Sequence, residues 1–173
     1  METAFKYYQK GTEYLLKIVL ALAMILLALD ILSIFSEVIS RYIFKSSMAE
    51  MEELPRLLIP FMVFPMMGVL LKLKSHVSVD VLPDMLKGKN RSILMIGVYA
   101  IVLAISVLFF IAGIISVKYF YDLGFETVTE VVFKFWVIYL AFPLGFGIMI
   151  LIAIEMLWQE LIVLSMAIKE EKQ

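Results

Sequence analysis

The sequence predicts an all-α membrane protein: four transmembrane helices in a single domain, with both termini in the cytoplasm. Three observations carry this. Hydrophobic residues make up 63% of the 173 residues, with a mean hydropathy of +0.99; soluble domains average about 45–50% apolar residues. Four apolar runs are each long enough to cross a bilayer, which needs about 20 residues of helix. Lysine and arginine fall unevenly on the two sides of those runs.

The first run is Leu15 to Ser40. It is not a cleaved signal peptide, because it far exceeds an h-region of roughly 7–15 residues and no small-residue cleavage site follows. Upstream, Phe5, Tyr8, Thr12 and Leu15 fall near one helical face, away from Lys6, Lys10 and Glu13. That segment fits either a short interfacial helix leading into the span or a frayed terminus. The second run is Leu54 to Leu73, with Pro60 and Pro65 inside it, where each lost N–H predicts a bend. The third, Ser92 to Val117, contains no charged residue. The fourth starts near Phe133, spans to about Glu155 and stays largely apolar to Ile168, so its end is expected to emerge from the bilayer.

Orientation follows from the basic residues between the spans. Lys6, Lys10, Lys74, Lys87, Lys89, Arg91, Lys169 and Lys172 stand on one side; Lys45, Lys118 and Lys134 stand on the other. Positive charge collects in the cytoplasm. Both termini and the loop Lys74–Arg91 are therefore expected there, with Tyr42–Met51 and Lys118–Val132, which carries the acidic stretch "YDLGFETVTE", outside.

Two places carry charge that lipid would not tolerate. Asp30 lies deep in the first span, where a carboxylate costs about 2.5–3.5 kcal/mol on insertion scales. Glu37 and Arg41 follow at seven and eleven residues, within roughly 20° of Asp30 around an ideal helix. One stripe thus carries Asp30, Glu37 and Arg41, with Glu37 and Arg41 at an i,i+4 spacing. The stripe should face protein, either for packing or as the proton or cation site of a small antiporter.

The second place is "MAEMEELPR", Met48 to Arg56. Pro55 suits a first helical turn, and Glu50, Glu52 and Glu53 complement the positive end of the helix dipole. Arg56 opposes that dipole and needs a carboxylate: Glu52, Glu53, or Glu37 if the first two helices pack. A charged cluster of Glu37, Arg41, Glu52, Glu53 and Arg56 is expected at the outer ends of those helices. Clusters of this kind can fix register between helices or subunits.

Much chemistry is excluded. With no cysteine and one histidine, disulfides, thiolate metal sites and a bis-histidine haem are ruled out within this chain. His76 with Asp80 is too little for a metal site. The net charge of −1 gives no reason to expect nucleic-acid binding. No hydrolase elbow, phosphate loop or metal-ligand spacing occurs, so neither a catalytic constellation nor a cofactor is expected.

The order of motifs resembles the small membrane subunit, DctQ-like, of tripartite ATP-independent periplasmic (TRAP) transporters. The first helix ends in "RYIF", Arg41–Phe44. Glu52, Glu53 and Arg56 follow at the second helix, then "HVSVD", His76–Asp80. Trp136 and "PLG", Pro143–Gly145, stand in the fourth. Met51 departs from the bulkier aromatic context the family often shows before the glutamates.

The resemblance implies a scaffold subunit of the bacterial inner membrane with no transport residue of its own. It would pair with a large, sodium-driven elevator subunit and work with a periplasmic substrate-binding protein, often for organic acids. The site residues would then be interface or structural groups: Asp30, Glu37, Arg41, Glu52, Glu53, Arg56, His76 and Asp80. Two other classes compete with this one. An autonomous proton-coupled exporter would centre on Asp30. A haem-bearing redox anchor would need axial histidines within its helices, and His76 lies outside the spans.

Overall fold

The computed structural model describes residues 2–45, 49–73, 89–127 and 132–170. It is all-α. Helix α1 spans Glu2–Ile39 and passes directly into a π-helical turn, Ser40–Phe44. Helix α2 spans Ala49–Lys72, α3 Lys89–Leu123, α4 Phe135–Tyr139 and α5 Ala141–Glu170. Among the described residues, four helices are long and apolar enough to cross a membrane.

The N-terminal segment is helical but not a separate interfacial helix. At 38 residues α1 is a single rod of about 57 Å, nearly twice the ~30 Å hydrocarbon thickness. Its first turns are held by protein: Phe5 and Tyr8 pack on Trp158 of α5, with ring centroids 5.4 and 6.4 Å apart. At the far end, Lys45 adopts a left-handed conformation (φ 51°) and its N–H donates to Ser40 O, closing the π-turn.

The helices pack in the order α1, α2, α5, α3, and α1 does not touch α3 among the described residues. Each outer helix therefore buries one stripe. On α1 the buried side chains are Thr12, Leu16, Val19, Ala23, Asp30, Ser33 and Ser40. They recur at intervals of three and four, with Leu26 and Glu37 half-buried in the same series. On α3 they are Ser92, Met95, Tyr99, Ser106 and Gly113. The remaining faces expose leucine and isoleucine, which suits a bilayer or a partner subunit and not water.

The hydrophobic core gathers near the end that carries the chain termini, hereafter the terminal end. Leu16 and Val19, Val69 and Leu71, Met95 and Tyr99, and Ile152, Ala153 and Met156 form one cluster from all four long helices. Toward the opposite, hairpin end, aromatic rings take over. Phe64 lies 4.0 Å from Phe142, Phe109 stacks on Phe146 at 5.1 Å, and Phe120 stacks on Tyr139 at 4.3 Å.

Small residues set the closest approaches there, as is usual between membrane helices. A Cβ on Gly145 would lie 2.5 Å from the Phe64 backbone, so α2 and α5 touch at that point. A Cβ on Gly113 would lie 3.0 Å from Pro143 Cδ, which brings α3 against the same turn of α5. The "PLG" element is thus the place where α5 is gripped from both sides. Helix α2 runs as one α-helix through Pro55, Pro60 and Pro65. Beyond α3, Gly124 turns the chain at φ 63°, and Thr127 pairs with Phe133 across a short hairpin (N–H to O, 2.9 Å). Trp136 then meets Tyr121 edge-on at 5.8 Å.

Candidate functional site

Two groups of buried polar side chains interrupt this apolar bundle, one near each end. At the terminal end, Glu155 of α5 is 1% exposed. Its Oε1 lies 3.0 Å from Lys72 Nζ of α2, and its Oε2 accepts from Lys72 Nζ at 3.1 Å. Thr12 of α1 completes the set: its hydroxyl, with one proton to give, donates to Glu155 Oε2 at 2.6 Å and accepts from Lys72 Nζ at 3.2 Å. One turn earlier, Tyr8 donates its hydroxyl to Leu151 O of α5 at 3.0 Å.

Three helices therefore converge on one carboxylate. A buried carboxylate is tolerated when an opposite charge and hydrogen bonds satisfy its lone pairs, and here both conditions are met. The sequence reading did not assemble this group. Glu155 stood near the end of the fourth run and Lys72 near the end of the second; nothing local linked them, or either of them to Thr12. The available signal was modest: two oppositely charged residues toward the terminal ends of two apolar runs.

At the hairpin end the expected residues separate. Asp30 is 9% exposed, and its Oδ1 has no hydrogen-bond partner among the described residues. Glu53, at the start of α2, is 8% exposed, and its Oε2 is likewise unmatched. The antiparallel register puts the two at one depth. Thr12 meets Lys72; Asp30 lies 18 residues along α1 and Glu53 19 back along α2, about 27 and about 28 Å at the α-helical rise.

Glu37 is half-buried and pairs with Arg41, the i,i+4 contact that its spacing predicts. Arg41 itself leaves the stripe, with 56% of its side chain exposed, and Ser40 is buried instead. The cause is periodicity. Side chains packed at a seven-residue repeat drift about 20° per heptad from the 3.6-residue helix. From Asp30 to Arg41 that amounts to about 30°, and the π-helical turn that begins at Ser40 rotates the residues after it further, so Arg41 leaves the packed face. Arg56 is exposed. The side chain of Glu52, and His76 and Asp80, lie outside the described residues.

Among the described residues, no group of three or more histidine, cysteine, aspartate or glutamate side chains could hold a metal ion. What the arrangement offers is a satisfied node joining three helices at one end and, at the other, two carboxylates that each have one oxygen without a partner among the described residues.

A sequence model of the family described as "Tripartite ATP-independent periplasmic transporters, DctQ component" matches residues 30–162. That region takes in Asp30, Lys72, the Pro143–Gly145 turn and Glu155. A search of curated proteins gives no match.

Proposed function

The chain belongs to the DctQ component family of tripartite ATP-independent periplasmic transporters, and from that premise we propose that it acts as the static scaffold of a sodium-coupled transporter for organic acids. In this reading it assembles with the large, elevator-type membrane subunit and works with a periplasmic substrate-binding protein. It sits in the bacterial inner membrane with both termini in the cytoplasm, as the distribution of lysine and arginine supports. The Lys74–Arg91 loop, with His76 and Asp80, then faces the cytoplasm, and Glu37, Arg41, Glu52, Glu53 and Arg56 serve contacts at the outer face.

The observation that supports a scaffold most directly is the Thr12–Lys72–Glu155 node. Its strongest polar interactions tie α1, α2 and α5 to one another. A carboxylate held by an ammonium and a hydroxyl is engaged in fixing position. The test is co-expression with the large subunit and purification through a tag on this chain. A stable two-subunit complex is expected, with its yield reduced by Arg41→Glu or Arg56→Glu; unchanged yield in both variants would count against the outer cluster as an interface.

A second reading, an autonomous proton-coupled exporter, draws on the unmatched Oδ1 of Asp30, since intramembrane carboxylates serve proton relays. It requires that the purified chain alone move a cation against a proton gradient in liposomes, and that Asp30→Asn abolish the flux.

A further inference from the structure

We propose that in the assembled transporter the large membrane subunit inserts a cationic side chain, arginine or lysine, beside the α1/α2 seam at the depth of Asp30 and Glu53, pairing with these two carboxylates, each of which has one oxygen without a partner among the described residues. The inference rests on the scaffold reading and names the chemistry of the partner surface that reading requires.

The contrast within one molecule carries the argument. At the terminal end Glu155 is buried and fully answered by Lys72 and Thr12. At the hairpin end Asp30 and Glu53 are each more than nine-tenths buried, yet each keeps an oxygen with no partner among the described residues. A carboxylate in that position must be paired or carry a proton. Arg41 engages Glu37 on the next turn.

The seam is also reachable from outside. The contacts of α1 with α5 involve Phe5, Tyr8 and Thr12 near the terminal end, and the residues flanking Asp30 lie open: Leu29 and Ile31 are 46% and 58% exposed, and Leu27 and Ile34 are exposed as well. The unmatched Oδ1 and Oε2 are themselves covered, so a long side chain from a neighbouring helix laid along this apolar face would meet the 9% of Asp30 and 8% of Glu53 that stay exposed, keeping its aliphatic stem among the leucines. A multivalent metal ion fits the site poorly, since no three acidic or imidazole groups gather among the described residues. A guanidinium or ammonium supplies its own donors and needs only acceptor oxygens.

The test compares Asp30→Asn in two settings, the isolated chain and the co-expressed two-subunit complex. In the isolated chain the variant removes an uncompensated buried carboxylate, so the thermal midpoint in detergent should hold or rise. In the complex it removes one member of an intersubunit ion pair, so complex yield should fall by about tenfold or more. Glu53→Gln is measured alongside and should show the same opposition of sign; it serves as the reporter if Asp30→Asn fails to accumulate. Unchanged complex yield overturns the proposal. So does loss of stability in both settings, which marks a packing role, or stabilisation of the isolated wild-type chain by sodium chloride over choline chloride, which marks a bound ion. If the wild-type chains do not co-purify, it is the scaffold reading itself that has failed.

Discussion

Lys72 of α2 and Glu155 of α5 form an ion pair, Nζ to Oε1 3.0 Å, across 83 residues of sequence. The glutamate side chain is 2% exposed and the lysine 18%. Breaking a buried pair by removing one partner leaves an uncompensated charge and costs about 3–5 kcal/mol. Lys72→Met should therefore lower the unfolding free energy of the chain in detergent by about that much. Replacing both residues, as Lys72→Met with Glu155→Leu, should cost distinctly less. A double-mutant cycle on chemical unfolding measures the coupling.

Thr12 bridges α1 to this pair through a 2.6 Å bond to Glu155. Thr12→Val keeps the shape and deletes the hydroxyl, for a loss of about 1.5–3 kcal/mol, the range for bonds to charged groups. Thr12→Ser should retain most of the stability. Thermal melts of the two variants side by side separate the hydroxyl from the methyl group.

Gly145 and Gly97 provide a matched test of helix contact. A Cβ at 145 would stand 2.5 Å from the Phe64 backbone, while at 97 nothing lies within 4 Å. Gly145→Ala must push α2 and α5 apart and should destabilise by about 1–3 kcal/mol, the usual cost of overpacking. Gly97→Ala should be neutral or stabilising by up to about 1 kcal/mol, because alanine is the better helix former. Unfolding midpoints of the two variants give the comparison.

How far this was readable from sequence depended on the range of the interaction. Four long apolar runs fix four long helices, because backbone groups in lipid have few other ways to be satisfied. Asp30 on a protected face was legible for the same reason: a carboxylate mid-span has nowhere else to go. Arg41 stands off the packed stripe because that face packs at 3.5 residues and passes at Ser40 into a π-helical turn, neither of which a 3.6-residue period encodes. The segment before Leu15, expected as a short interfacial helix or a frayed terminus, continues α1 because Phe5 and Tyr8 find Trp158, 150 or more residues away. The Thr12–Lys72–Glu155 node joins three separate runs, and no local period encodes it.

In the Glu37–Arg41 pair the arginine side chain is 56% exposed, and i,i+4 pairs with an exposed partner contribute about 0.3–0.5 kcal/mol. Arg41→Ala should therefore leave the melting of the isolated chain nearly unchanged. If Arg41 belongs to an intersubunit surface, the same variant should weaken the complex. Melting of the chain and recovery of the complex, measured on the same preparations, distinguish a helix-surface pair from an interface residue.

The scaffold assignment meets its most direct test when this chain is purified twice, alone and with the large subunit of the same transporter, and both preparations are reconstituted into liposomes. The expected result is a stable complex that moves organic acid only when both subunits and the binding protein are present, and a lone chain that moves nothing. Proton-driven flux through the lone chain, abolished by Asp30→Asn, together with no recovery of the large subunit, would contradict it.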